Sequence, residues 1–292
     1  MKIITVTLNP CIDVNYRLTK PFRAGELNRV PAPQREICGK GINVSRMFRR
    51  MGKESTLMGI FTDGNEIDEL RREGFTVSGV QCPGKLRTNT SILDSDGVET
   101  QINEPGIEVS AEKFKEFMGL YKSEVNCGGE CLVVLSGSVP GGLDKGIYKK
   151  LITVAKNAGA YTVLDADGEA LEKGLDAIPD LIKPNTEEFE KLIGKKLEGH
   201  GEGLRLDAVR EALEYTRNNN CAVLCTLGED GSVYAGEGGS FMCEATKTDI
   251  KTFKGAGDSF LAAFLTEHIV NGKDCDISMM LASTQAARKL SE

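Results

Sequence analysis

The segment Lys254-Gly255-Ala256-Gly257-Asp258-Ser259 runs directly into an almost wholly apolar stretch, Phe260-Leu261-Ala262-Ala263-Phe264-Leu265. Small residues let the backbone approach a ligand closely. The start of a helix offers unpaired N–H groups and the positive end of its dipole, which together bind anions. Asp258 stands at that anion site. Two chemistries fit it: an N-cap that serves the helix itself, or a general base whose carboxylate meets an acceptor hydroxyl beside a phosphate. Gly39-Lys40-Gly41-Ile42-Asn43 also leads into a helical pattern, with a cation between its glycines and Asn43 in the first turn. Alone, such a segment is equally a plain turn. Asn185-Thr186-Glu187-Glu188 opens a third helical pattern, with Thr186 as the expected cap. Carboxylates in a first turn serve the helix dipole; beside phosphates they hold Mg²⁺, usually through water.

The elements that must position these groups alternate. Strand patterns at Ile3–Leu8, Leu132–Leu135, Thr162–Leu164, Leu181–Ile182 and Ala222–Thr226 are separated by helical patterns at Gly41–Met51, Glu66–Glu73, Gly146–Asn157, Thr186–Ile193, Leu206–Arg217 and Ser259–Val270, with another helix opened by Ser110. That rhythm predicts an α/β fold, a parallel sheet with helices on both faces. Each strand ends in polar or small residues: Asn9 and Asp13, Ser136-Gly137, Asp165, Lys183 and Asn185, Thr226-Leu227-Gly228. One polar strand end only meets solvent. Several together describe a crevice at the carboxyl edge, lined for a polar, anionic ligand. Two stretches break the rhythm, Val14–Pro33 and Thr88–Gly106. The second reads as a hairpin about Asp94-Ser95-Asp96-Gly97. Together they predict a small β sheet over the main domain.

Lys+Arg total 36 and Asp+Glu 43, a net charge of −7. Such a chain has no global attraction for nucleic acid or anionic membrane, although a local basic pocket is allowed. No apolar run approaches a membrane span of ~20 residues, and no signal-peptide pattern opens the chain. The nine cysteines lie mostly in apolar runs without a CxxC pair, which reads as reduced, buried thiols in a cytoplasmic protein. The two histidines, His200 and His268, argue against zinc and against a Ser-His-Asp or Cys-His machine. Gly79–Leu86 nearly matches a P-loop, but Pro83 interrupts it and Leu86 replaces the required Ser or Thr.

Taken in order, TVTLNPCIDVNYRL, CGKGINVSR, ETQINEPG, LSGSVPGG, LDADGEAL, LIKPNTEEFEKL, TLGEDGSVY and GAGDSFLAAFL resemble the phosphofructokinase-B family of the ribokinase superfamily, over almost the whole chain. Within it the TLNP start and the INEPG segment look most similar to 1-phosphofructokinases and tagatose-6-phosphate kinases. The resemblance implies one ribokinase-like kinase domain over residues 1–292, three layers about a mostly parallel sheet, with a β lid at about 14–33 and 88–106. It implies ATP and Mg²⁺. It makes Asp258 the catalytic base and the backbone of Gly255, Ala256 and Gly257 the anion hole. Asp13, Gly39, Lys40 and Asn43 match sugar-binding positions, and Arg87, Asn89 and Asn103 match lid-side substrate positions. Lys183 and Asn185 match the ATP-phosphate region, with Glu188 toward Mg²⁺ through water. Thr226 and Gly228 match the nucleotide-binding strand end. The reaction implied is phosphorylation of fructose 1-phosphate to fructose 1,6-bisphosphate. Alternatives are a tagatose 6-phosphate kinase, a kinase of an unphosphorylated sugar, and a silent sugar-phosphate sensor, the last disfavoured by the intact Gly-Ala-Gly-Asp.

The chain departs from the family pattern at Cys38, where a second Gly is usual, and at Ser91, where the subgroup often has Lys. Phe253 and Lys254 replace the usual Thr-Val. Lys40, Arg87 and Arg29 should converge at the sugar end, where a neutral sugar would leave buried cations unpaired at considerable cost. The apolar lid residues Val14, Tyr16, Leu18, Ile92 and Leu93 predict a face covered by a second copy of the chain, a homodimer through the lid.

Overall fold

The computed structural model describes residues 1–30, 32–249 and 255–292. Its strands are β1 (Lys2–Thr7), β2 (Cys11–Arg17), β3 (Gln34–Cys38), β4 (Thr56–Thr62), β5 (Thr76–Cys82), β6 (Arg87–Leu93), β7 (Glu99–Asn103), β8 (Cys131–Ser136), β9 (Tyr161–Asp165), β10 (Leu181–Ile182), β11 (Ala222–Thr226), β12 (Ser232–Gly236) and β13 (Gly239–Cys243). Its helices are α1 (Lys40–Arg50), α2 (Glu66–Arg72), α3 (Ala111–Val125), α4 (Ile147–Asn157), α5 (Gly168–Leu175), α6 (Thr186–Ile193), α7 (Glu202–Asn219), α8 (Ala256–Phe264) and α9 (Cys275–Leu290). The helix expected over Ser259–Val270 starts earlier and widens into a π-helical turn at Leu265–Val270.

The large sheet has the order β13-β12-β11-β10-β9-β8-β1-β4-β5. It is parallel from β5 to β11, and the described antiparallel pairings are β11–β12 and β12–β13, with β12 the reversed strand. Parallel strands need cover on both faces, so their sequences are continuous apolar runs. Along β8 the alternation of side chains divides the core. Val133 and Leu135 join Phe117, Tyr121, Tyr148 and Phe189 of α3, α4 and α6. Leu132 and Val134 join Phe48, Phe260, Phe264 and Met279 of α1, α8 and α9. The second face therefore carries the two helices whose first turns hold the candidate site.

The small sheet has the order β3-β2-β6-β7, with β2 and β6 parallel. The expected hairpin is β6–β7, closed by the Asp94 carboxylate, which accepts from the N–H of Asp96 and of Val98 at 2.9 and 3.0 Å. The lid differs from the expected spans at one end. Its first two strands lie at 11–17 and 34–38, on either side of a stretch where residues 18–30 carry no strand. Val14 is 2% exposed and belongs to the chain's own interior; the large apolar residues left open in the lid stretches, among the described residues, are Phe22, Leu27, Val30, Val98 and Ile102. The near-match to a P-loop begins inside strand β5. Eight of the nine cysteines are buried, and Cys127 is exposed. Among the described residues no helix is long and apolar enough to cross a membrane.

Candidate active site

Glycine sets the entry to α1. A Cβ at Gly41 would stand 2.5 Å from Thr7 Oγ1 and 2.7 Å from the Val6 carbonyl oxygen, so only glycine lets the first turn lie on the carboxyl end of β1. Lys40 then turns toward β9, where its Nζ donates to Asp165 Oδ1 at 3.0 Å. Lys183, just past β10, brings its Nζ to 3.3 Å from the same oxygen. Asn43, one turn into α1, donates from Nδ2 to Asp258 Oδ2 at 2.8 Å.

Gly255 precedes α8 in the left-handed region, with φ of 75°, and gives the helix no side-chain cap. Asp258 is 8% exposed in the first turn, and its carboxylate is held by Asn43 and not spent on capping. Burial, and then the Asp165 carboxylate, push the Asp258 pKa up to about 6, against the pull of Lys40, Asn43 and Lys183. Burial also pushes Asp165 upward, but Lys183 and Lys40 overcome it and hold this carboxyl below its usual range. Burial works against the charge of Lys40; the carboxylates of Asp165, Asp258 and Glu188 outweigh it and hold its pKa high. The cluster thus combines a proton acceptor near neutrality, two ammonium groups and the open N–H groups of a helix start.

Beside Asn43 and Gly255, a cavity of about 410 Å³ is also lined by Asp13, Cys38 and Ser91 among others. Asp13 and Asn89 are register partners on β2 and β6, and Asn89 pairs in turn with Asn103, which is exposed. Arg87 is placed differently from the expected clamp. Its Nη2 and Nη1 donate to the carbonyls of Asn9 and Glu104 at 3.1 and 3.3 Å, and it does not line the cavity. Ser91 Oγ donates to the Glu99 carboxylate, so an acid stands where the subgroup often carries a cation. Arg29 is exposed outside any strand or helix. The cations that do line the cavity include Arg17, Arg35, Arg46, Arg50 and Lys289. Helical spacing from Asn43 points to Arg46 and Arg50; no local signal marks Lys289. Phe253 and Lys254 lie outside the described residues.

A second cavity, of about 460 Å³, is lined by Ser138, Asp167, Asn185, Glu187 and Glu188 among others. The cap of α6 is Asn185 rather than Thr186. Its side chain accepts from the Glu188 N–H, and Glu188 Oε2 accepts from the Asn185 N–H, both at 2.9 Å. Glu188 thus serves the helix, and among the described residues no group of three or more His, Cys, Asp or Glu side chains is gathered to hold a metal ion. A bridge pairs Asn185 with Thr226, and Gly228 opens the turn after β11. Asn185→Ala removes the capping box; the expected loss is about 1 kcal/mol of stability and about 2 °C in Tm. An unchanged calorimetric Tm would remove that role.

The profile of the pfkB family carbohydrate kinases matches residues 4–292. The chain is 32% identical over 270 residues to a 1-phosphofructokinase of Bacillus subtilis, covering 90% of this chain and 84% of that one. Its fold is that of Escherichia coli phosphofructokinase-2. A structure of that protein with fructose-6-phosphate superposes with a TM-score of 0.86 at 23% identity, covering 100% of this chain and 95% of that one. Its tetrameric inhibited form superposes with a TM-score of 0.86, also at 23% identity, over 99% and 94% of the two chains.

Proposed function

The chain belongs to the pfkB family of carbohydrate kinases, and from that premise we propose that it transfers the γ-phosphoryl group of ATP to a phosphorylated ketohexose, fructose 1-phosphate first among them, giving fructose 1,6-bisphosphate. The observation that carries the mechanism is the Asp258 carboxylate, buried at a glycine-framed helix start and oriented by Asn43. Ionised, it accepts the proton of the attacking hydroxyl. Asn43 fixes its angle, and Asp13 lines the same cavity as a partner for sugar hydroxyls. The N–H groups at Gly255, Ala256 and Gly257 receive the charge that builds on the transferring group. Gly257 carries no side chain to intervene, and Lys183 Nζ lies 3.7 Å from where its Cβ would be. On the nucleotide side we assign ATP to Lys183, Asn185, Thr226 and Gly228. Glu188 would hold Mg²⁺, through water, to screen the phosphates.

The relative from Bacillus subtilis is a 1-phosphofructokinase, which favours fructose 1-phosphate. Cations at the cavity wall favour a phosphorylated sugar over a neutral one. The Ser91–Glu99 pair departs from the subgroup and keeps tagatose 6-phosphate as the second reading. The test is kcat/KM for fructose 1-phosphate, tagatose 6-phosphate, fructose and ribose, with and without Arg87→Ala. Arg87 ties the Asn9 and Glu104 carbonyls and does not line the cavity, so Arg87→Ala is expected to act through that backbone and to lower kcat/KM for both phosphates by about 10-fold. A neutral sugar that beats both phosphates overturns the substrate class; an unaffected Arg87→Ala removes Arg87 alone. We also assign the open lid residues Leu27, Val98 and Ile102 to a homodimer contact. Light scattering at micromolar concentration should give twice the chain mass, and a monomer refutes the contact.

A further inference from the structure

Asp165 is the most buried carboxylate of the cluster, with a fully covered side chain, and the mechanism above gives it no task. Its Oδ1 receives both ammonium groups, Lys40 at 3.0 Å and Lys183 at 3.3 Å. In register along the sheet, Thr7 of β1 stands beside Ser136 of β8, and Ser136 beside Asp165 of β9. Thr7 Oγ1, Ser136 Oγ and Asp165 Oδ2 are all buried without a hydrogen-bond partner among the described residues. The carboxylate therefore has no hydroxyl donor from its neighbour, and among the described residues its side-chain partners are the two lysines. Burying a carboxylate this deeply is costly unless it is paired. Here the pairing fixes two cations that reach it from different elements, Lys40 at the start of α1 and Lys183 after β10.

We propose that Asp165 is a positioning residue of the phosphoryl transfer, acting through Lys40 from the sugar side and Lys183 from the nucleotide side, which it pins at one point beside Asp258. The inference rests on the kinase reading of the site. One carboxylate between two ammonium groups leaves a net positive charge next to the anion hole. It also keeps both lysines from closing on Asp258, which stays a stronger proton acceptor for it. The groups that face Asp258 are Lys40 and Asn43 of α1, Asp165 of β9 and Lys183 after β10. Lys289 of α9 lies against Gly255, and Glu188 of α6 acts on Lys40.

The test compares wild type, Asp165→Asn and Asp165→Glu by the pH dependence of kcat and kcat/KM with fructose 1-phosphate and ATP, corrected for folded fraction. Asp165→Asn removes a charge that raises the Asp258 pKa and frees two cations that lower it. Its acid limb should move down by about one unit, with kcat reduced about 10- to 100-fold. Asp165→Glu keeps the charge on a longer stem; its limb should stay near that of wild type while kcat falls through displaced lysines. A loss of fold alone would lower the active fraction and leave the limb in place. An Asn variant with an unmoved limb overturns the proposal. If the Asn variant does not fold, a Glu variant with wild-type kcat overturns it. Failure of the kinase reading is separate: wild type itself would then release no ADP in response to a sugar phosphate.

Discussion

Asp258→Asn is expected to lower kcat by about 10²–10⁴-fold, or about 3–5 kcal/mol of transition-state stabilisation, with the Kd for ATP nearly unchanged. The substitution keeps the shape of the side chain and its bond to Asn43, which spans 215 residues of sequence. It removes the proton acceptor alone. Because the pKa of Asp258 is pushed up to about 6, the wild-type enzyme should lose kcat/KM as pH falls through that value, where the carboxylate takes up its proton. The Asn variant should lack this limb. Steady-state kinetics beside calorimetric titration of ATP check it; a variant with near-normal kcat would end the assignment of Asp258 as base.

Lys183→Met should cost about 10²–10³-fold in kcat. Lys183 is 6% exposed, and its ammonium lies over Gly257 at the start of α8. Methionine fills the channel of the aliphatic stem and deletes only the charge. Lys40 remains on Asp165, so the carboxylate keeps a partner and the fold should survive, as circular dichroism will show. A raised KM for ATP with kcat within threefold of wild type would mean that Lys183 binds ground and transition states alike, and the proposed catalytic role would fall.

Much of the frame is legible in the sequence because parallel strands are continuous apolar runs and helices announce their starts. The Ser110 hydroxyl accepts from the Lys113 N–H at the head of α3, and Asp94 closes its hairpin. The antiparallel edge β12–β13 has no counterpart among the expected strands despite its Glu237-Gly238 turn. Strand β13 is exposed along most of its length and lacks an apolar run. At the site, residue types were readable and partnerships were not. From sequence Asp258 fits a cap as well as the base that the resemblance implies; its bond from Asn43, 215 residues away, is not legible there. Asp165 was only one polar strand end among several; its role depends on Lys40, which is 125 residues away in sequence. Arg87 illustrates the converse. Its motif predicts a phosphate clamp, whereas its guanidinium ties two backbone carbonyls together.

The central claim is most directly tested by ³¹P NMR of the products when wild-type protein, ATP and fructose 1-phosphate are mixed with Mg²⁺. The account predicts one new phosphate monoester, at C6 of the ketohexose, for each ADP formed. ADP formed with inorganic phosphate and no new ester, or an ester that forms only on unphosphorylated fructose, would contradict it.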